Sequence, residues 1–253
     1  MLEPPLIKER SDKLLRLTLN RPASLNAIDS EMASAFLHAV TEAIEDASIR
    51  VIILSGAGRA FMAGGDIAQF SRDSGSIPES LIEPMNRAIL LLTSSDKLVL
   101  GSLHGPVAGA GMSLALACDL IIAADDTRFS FAYTALAVSG DLGITWSLPR
   151  LAGLPRALAV ALLGDTLSAD EALRLGLVCR VAEGKQLAAQ TESLATHLST
   201  LPALAAGNIK RLMRSAFDRD LGSQLDDEKK AFSDCITQSE FHHAVASFLA
   251  RSK

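Results

Sequence analysis

The stretch "LVLGSLHGPVAGAGMSLALACDLIIAA" (98–124) is apolar almost throughout and long enough to cross a bilayer. It is interrupted by His104, by Gly105–Pro106, by Ser113 and by Asp119. A membrane helix does not tolerate that set of breaks, and the apolar runs on either side of the Gly–Pro turn have strand length. The segment therefore predicts a buried strand, a glycine-rich loop, a short buried helix over 111–118 and a second buried strand over 119–125. A chain with that element at its centre needs layers on both sides of a sheet.

The flanking segments supply those layers. "KLLRLTLN" (13–20) alternates as a strand does, and "VIILSG" (51–56) is apolar in the manner of a strand buried on both faces. Between them, Met32, Phe36, Val40 and Ile44 recur at helical spacing, with Asp29 or Ser30 as N-cap. A helix is expected across 78–94. Later, 155–164 has helical character, and "SADEALRLG" (168–176) carries a capping box at Ser168 and Glu171 and ends on Gly176. A short strand follows at 177–182, and from Gln186 the pattern is helix upon helix. The prediction is an α/β core with a largely parallel sheet over 1–190 and an all-helical region over 191–253. Several apolar helix faces with little core of their own suit docking on a partner subunit.

Composition excludes several function classes. Net charge is −5, no Lys/Arg run occurs, and aromatic residues are 4% of 253, so nucleic-acid binding is not expected. Cys118, Cys179 and Cys235 form no CxxC pair and read as reduced thiols, with no metal site implied. "MLEPPLIKER" lacks the apolar core of a signal peptide, so the expectation is a soluble, cytoplasmic protein without membrane partners.

Two loops, "FMAGGDI" (61–67) and "HGPVAGAGMSLALACD" (104–119), each set small residues after a buried strand. The second has Gly109-x-Gly111, but Leu114 stands where a dinucleotide fingerprint requires glycine or alanine, and there is no GxxxxGK[ST]. Such loops also suit an oxyanion hole, because small residues let backbone N–H groups approach a carbonyl oxygen. Tight strand–helix packing is the alternative. Further on, Asp141 is the single acid of "AVSGDLGITWSLPRL" (137–151), and the apolar setting suits either a turn aspartate or a desolvated base.

"LTLNRPASLNAID" (17–29), the two glycine-rich loops and the segment 147–182 together resemble the successive blocks of the crotonase, or enoyl-CoA hydratase/isomerase, superfamily. The tail "EFHHAVASFLARSK" (240–253) adds to the likeness. Within the superfamily, the chain is most similar to the subgroup of 1,2-epoxyphenylacetyl-CoA isomerases of phenylacetate breakdown. The resemblance implies a spiral of ββα units with a C-terminal trimerisation region, hence a homotrimer or homohexamer. It also implies acyl-CoA thioester substrates, with coenzyme A as part of the substrate and no further cofactor. Gly65 and Ala110 match the two oxyanion donors. Ser24, Leu25, Ala27, Ala63, Asp66 and Ile67 match positions that line coenzyme A. Arg21 and Lys229 or Lys230 are candidates for its phosphates, or else ordinary surface cations.

Hydratases of this superfamily use two glutamates, and the matching positions here are Ser113 and Tyr133. Asp141 matches a third acidic position, used by enoyl-CoA isomerases. One carboxylate suffices to remove an α-proton and return it at the γ-carbon. An apolar wall of Leu142, Ile144, Trp146 and Phe131 would raise its pKa, and Tyr133 is either pocket wall or a substrate-orienting hydroxyl. Asp119 is expected to be structural, and His104 to brace its loop. Isomerisation of an enoyl-CoA is thus the expected reaction. Hydration of a 2-enoyl-CoA and acyl-CoA binding with weak catalysis are the alternatives.

Overall fold

A computed structural model describes residues 3–251. The strands are β1 (Leu6–Ser11), β2 (Leu14–Leu19), β3 (Val51–Gly56), β4 (Leu98–Leu103), β5 (Pro106–Ala108), β6 (Leu120–Ala124), β7 (Arg128–Ser130), β8 (Leu167–Ser168) and β9 (Arg180–Ala182). The helices are α1 (Ser30–Glu45), α2 (Ile67–Arg72), α3 (Glu83–Ser94), α4 (Ala110–Ala117), α5 (Ile144–Ala152), α6 (Leu154–Leu163), α7 (Ala169–Arg174), α8 (Leu187–Thr200), α9 (Ala203–Ser215), α10 (Leu221–Ile236) and α11 (Ser239–Arg251).

Among the described residues the main sheet has six strands in the order β1-β2-β3-β4-β6-β9, and a second sheet has the order β5-β7-β8. In the main sheet only the β1–β2 pair is antiparallel. Val51, Ile52, Ile53 and Leu54 of β3 are all buried because both faces of the sheet are covered. Ile52 and Leu54 join the larger core with Phe36 and Val40 of α1, whereas Val51 and Ile53 pack with Leu194, Ala195 and Leu198 of α8.

The chain repeats one unit. β4 in the main sheet leads to β5 in the small sheet and then to α4; β6 leads to β7 and then to α5. After β3 the chain makes an isolated parallel bridge from Met62 to Val107 of β5 before entering α2. This alternation is the ββα pattern, and because β2, β3, β4 and β6 run parallel it brings the segments that follow them to one end of the sheet. The apolar stretch 98–124 accordingly resolves into strand, loop, helix and strand, with every residue of α4 buried.

The structure adds elements to the sequence reading and moves one boundary. β1 was not anticipated, because an edge strand with one buried residue, Leu6, shows no alternation. Helix α5 continues through Pro149, which lies near the end of the helix's second turn. The boundary at 190 falls inside α8, whose apolar face closes the second core, and α9 is tied to the core as well. The helices that leave the core are α10 and α11.

Candidate active site

The two glycine-rich loops run side by side. Met62 N–H donates to Pro106 O at 3.3 Å and Ala108 N–H to Met62 O at 3.0 Å. Three residues beyond the Met62–Val107 bridge, the paired chains reach Gly65 and Ala110. Neither N–H has a hydrogen-bond acceptor among the described residues. For Ala110 the reason is local: it is the first residue of α4, whose opening N–H groups have no intrahelical partner. Two glycines make the geometry possible. Gly109 takes φ 50° and ψ −121° to turn from β5 into α4. Gly111 approaches the other loop so closely that a Cβ there would lie 2.1 Å from Met62 O. The result is two free N–H groups on adjacent loops, one of them at a helix N-terminus where the dipole favours negative charge.

The three positions matched to the acids of the superfamily converge. Ser113, on the second turn of α4, lies 2.7 Å from the Tyr133 hydroxyl, Oγ to OH. The Tyr133 hydroxyl in turn donates a short hydrogen bond to Asp141 Oδ1. Burial pushes the Asp141 carboxyl above the usual carboxylate range, and the bond from Tyr133 opposes that shift only in part. Burial also pushes the Tyr133 phenol up, with the Asp141 charge adding to the effect, so it remains a neutral donor. Phe131 packs edge-on against Tyr133, ring centroids 5.0 Å apart, and Leu142 and Ile144 are buried beside the carboxylate in sequence. Trp146 departs from the predicted wall. Ile144, Leu148 and Ala152 form the inward face of α5, which turns Trp146 outward, 42% exposed, beneath the Arg150 guanidinium at 4.0 Å.

The positions matched to coenzyme A form one continuous ledge. Ala63 N–H donates to Leu25 O at 3.0 Å, Ile28 N–H to Gly64 O at 2.8 Å, and Asp66 N–H to Ile28 O at 2.8 Å. Ser24 and Ile67 are exposed at its ends, and Ala27 is partly exposed between them. The Asp66 side chain is already engaged. It caps α2 through Ala68 and Gln69, and the Arg21 guanidinium, 2.8 Å away, holds its carboxyl below the usual range.

Arg21 is likewise engaged within the protein. It bridges Asp66 and Asp29, the latter at 2.9 Å, and so pins the ledge to the start of α1. Lys229 and Lys230 are exposed on α10. His104 Nε2 lies 2.9 Å from Gly58 O and its carbonyl accepts from Phe61 N–H, which braces the loop. Asp119 is structural. It receives Lys210 at 2.9 Å and Arg214 at 2.7 Å, and accepts from Val99 N–H, locking α9 onto β4. The four-residue spacing puts Lys210 and Arg214 on one face of α9, but nothing in the sequence pairs that face with Asp119.

A cleft of about 530 Å³ lies between α5 and α9, lined by Trp146, Arg150, Met213 and Phe217 among others. It contains none of Gly65, Ala110, Tyr133 or Asp141. Among the described residues no cluster of His, Cys, Asp and Glu could hold a metal ion, and no helix is long and apolar enough to cross a membrane.

Comparison with known proteins identifies the family and the fold. The family model for enoyl-CoA hydratase/isomerase matches residues 9–253. The chain is 36% identical to a 1,2-epoxyphenylacetyl-CoA isomerase of Escherichia coli over 94% of its own length and 92% of the relative's. It is 31% identical to a probable enoyl-CoA hydratase of Rhodobacter capsulatus, covering 96% and 94% of the two chains. An enoyl-CoA hydratase subunit from Geobacillus kaustophilus superposes with a TM-score of 0.91 at 32% identity, over 98% of this chain and 95% of the other. With the fold, the paired loops and the length of the match in agreement, the chain belongs to the enoyl-CoA hydratase/isomerase family.

Proposed function

We propose that this enzyme moves the double bond of an enoyl-CoA from the 3- to the 2-position, with Asp141 as the one proton carrier. The observation that carries the reading is the Ser113–Tyr133–Asp141 cluster. Three side chains share the place where acid–base groups are expected, and one of them is a carboxylate.

The thioester oxygen accepts hydrogen bonds from the N–H groups of Gly65 and Ala110, which raises the acidity of the α-carbon. Asp141, ionised, takes the α-proton and becomes a neutral acid, leaving a dienolate whose negative charge rests on that oxygen. The same carboxyl then delivers the proton to the γ-carbon, the double bond comes into conjugation with the thioester, and Asp141 is a carboxylate again. Its burial suits this cycle, since a base with a raised pKa is both a stronger proton acceptor and an acid that can release the proton. Neither hydroxyl partner can replace a carboxylate as the base that water addition requires.

The main-chain ledge of Ser24, Leu25, Ala27, Ala63, Asp66 and Ile67 is the proposed seat of the coenzyme A part of the substrate. Supporting this, the ledge continues directly into Gly65. The 1,2-epoxyphenylacetyl-CoA isomerase relative favours isomerisation and suggests a role in phenylacetate degradation. No redox group or metal has a part in the scheme. The proposed assembly is a homotrimer, or two trimers as a hexamer, formed through α10 and α11, and the proposed location is the cytoplasm. The reaction is tested by supplying 3-enoyl-CoA and 2-enoyl-CoA separately and following conjugated-thioester absorbance. Growth of absorbance from the 3-enoyl substrate is expected. Fast loss of absorbance from the 2-enoyl substrate, without isomerisation, would mean hydration instead.

A further inference from the structure

We propose that Ser113 and Tyr133 are a positioning pair that commits one oxygen of Asp141, so that the other oxygen alone exchanges protons with substrate. The inference rests on the Asp141 reading above. It follows from counting protons. Tyr133 has one hydroxyl proton, and that proton goes to Asp141 Oδ1. Its oxygen then accepts, and the Ser113 Oγ at 2.7 Å is the group that donates to it. The other acceptor near Ser113 is Gly109 O, longer at 3.3 Å and already receiving the Ser113 N–H at 3.0 Å. The chain of bonds therefore runs one way, from Ser113 through Tyr133 to Asp141.

The backbone fixes both ends. Ser113 is buried in α4, and its N–H bond to Gly109 O closes the first turn of that helix. Tyr133 N–H donates to Phe131 O at 2.8 Å, and the Phe131 ring packs against the Tyr133 ring. Tyr133 is the titratable group that faces Asp141, and no cation or second carboxylate contributes to the shift of that carboxyl. Two consequences follow. Oδ1 is occupied in both protonation states, so proton removal and return use the same atom, Oδ2. In addition, both hydroxyl protons are spent within the protein, and neither remains to orient a water for addition to the double bond. Tyr133 thus acts on the base rather than on the substrate, and Ser113 acts through Tyr133.

The test uses the full-length enzyme with Ser113→Ala and Tyr133→Phe, each made alone and in the Asp141→Asn background. Losing a bond that holds the base should lower isomerase kcat by about tenfold in each single variant, with KM little changed. The acid limb of the kcat/KM profile should move to higher pH in both, because the bonds that favour the carboxylate form are weakened or gone. In the Asp141→Asn background neither change should lower the residual rate further. If Asp141→Asn abolishes turnover but the acid limb stays put in both single variants, the positioning role is overturned, whatever happens to kcat or thermal stability. Retained turnover in Asp141→Asn would overturn the Asp141 reading, and the pair with it.

Discussion

Asp141 is held in a form that serves chemistry at a cost to the fold. A carboxyl with a raised folded-state pKa contributes stability that is fully present below the unfolded value, near 3.9 for aspartate, and lost as pH rises through the folded value. Asp141→Asn should therefore melt at a higher temperature than the parent at pH 7, and the difference should close at acid pH. Calorimetry across that range checks the sign, and an Asn variant less stable at pH 7 would contradict the burial argument. In the sequence this residue stood out because it was the one acid of an apolar segment, and the structure explains that isolation. What could not be read was its hydroxyl partner, since Tyr133 was compatible with either a wall or a substrate contact. Trp146 is adjacent to this wall in sequence but not in space, because α5 turns it to the opposite side from Ile144 and Leu148.

The elements were legible wherever a local rule decides them. Asp29 caps α1 through Met32 N–H, Ser168 and Glu171 close their capping box, and the apolar runs became β3, β4, α4 and β6. Contacts between distant segments were not legible, among them the Arg21–Asp66 bridge and the Asp119 clamp on α9. Gly111→Ala would force a methyl into the Met62 carbonyl and push the two loops apart. A loss of roughly 1–3 kcal/mol in stability and a fall in kcat are expected, read by chemical denaturation and isomerase assay. Unchanged kcat would argue that the spacing of the loops does not matter to turnover. Asp119→Ala would strand Lys210, whose side chain is 3% exposed, without its counter-charge. The expected cost is about 3–5 kcal/mol, measured by denaturant unfolding; a neutral effect would show that the clamp does not hold α9.

At the scale of the whole molecule, α10 and α11 have surfaces that a lone chain does not cover. Leu221, Leu225 and Phe232 form an exposed stripe along α10, at 71%, 54% and 65%. Burying such a stripe against another copy is the simplest physical use for it. Sedimentation velocity should give three chain masses, or six, and Leu225→Asp with Phe232→Asp should shift the particle towards monomer; a monomeric parent would contradict the assembly. The helical character of this region was plain in the sequence, but its boundary was not, because α8 is equally helical in pattern and yet packs on the sheet. The account as a whole rests on one carboxylate doing both proton transfers. The most direct test is kcat/KM for isomerisation of a 3-enoyl-CoA by Asp141→Asn, alongside its affinity for the acyl-CoA. A loss of at least about 10²-fold with binding retained is predicted. Turnover within tenfold of the parent would show that the proton is carried by another group.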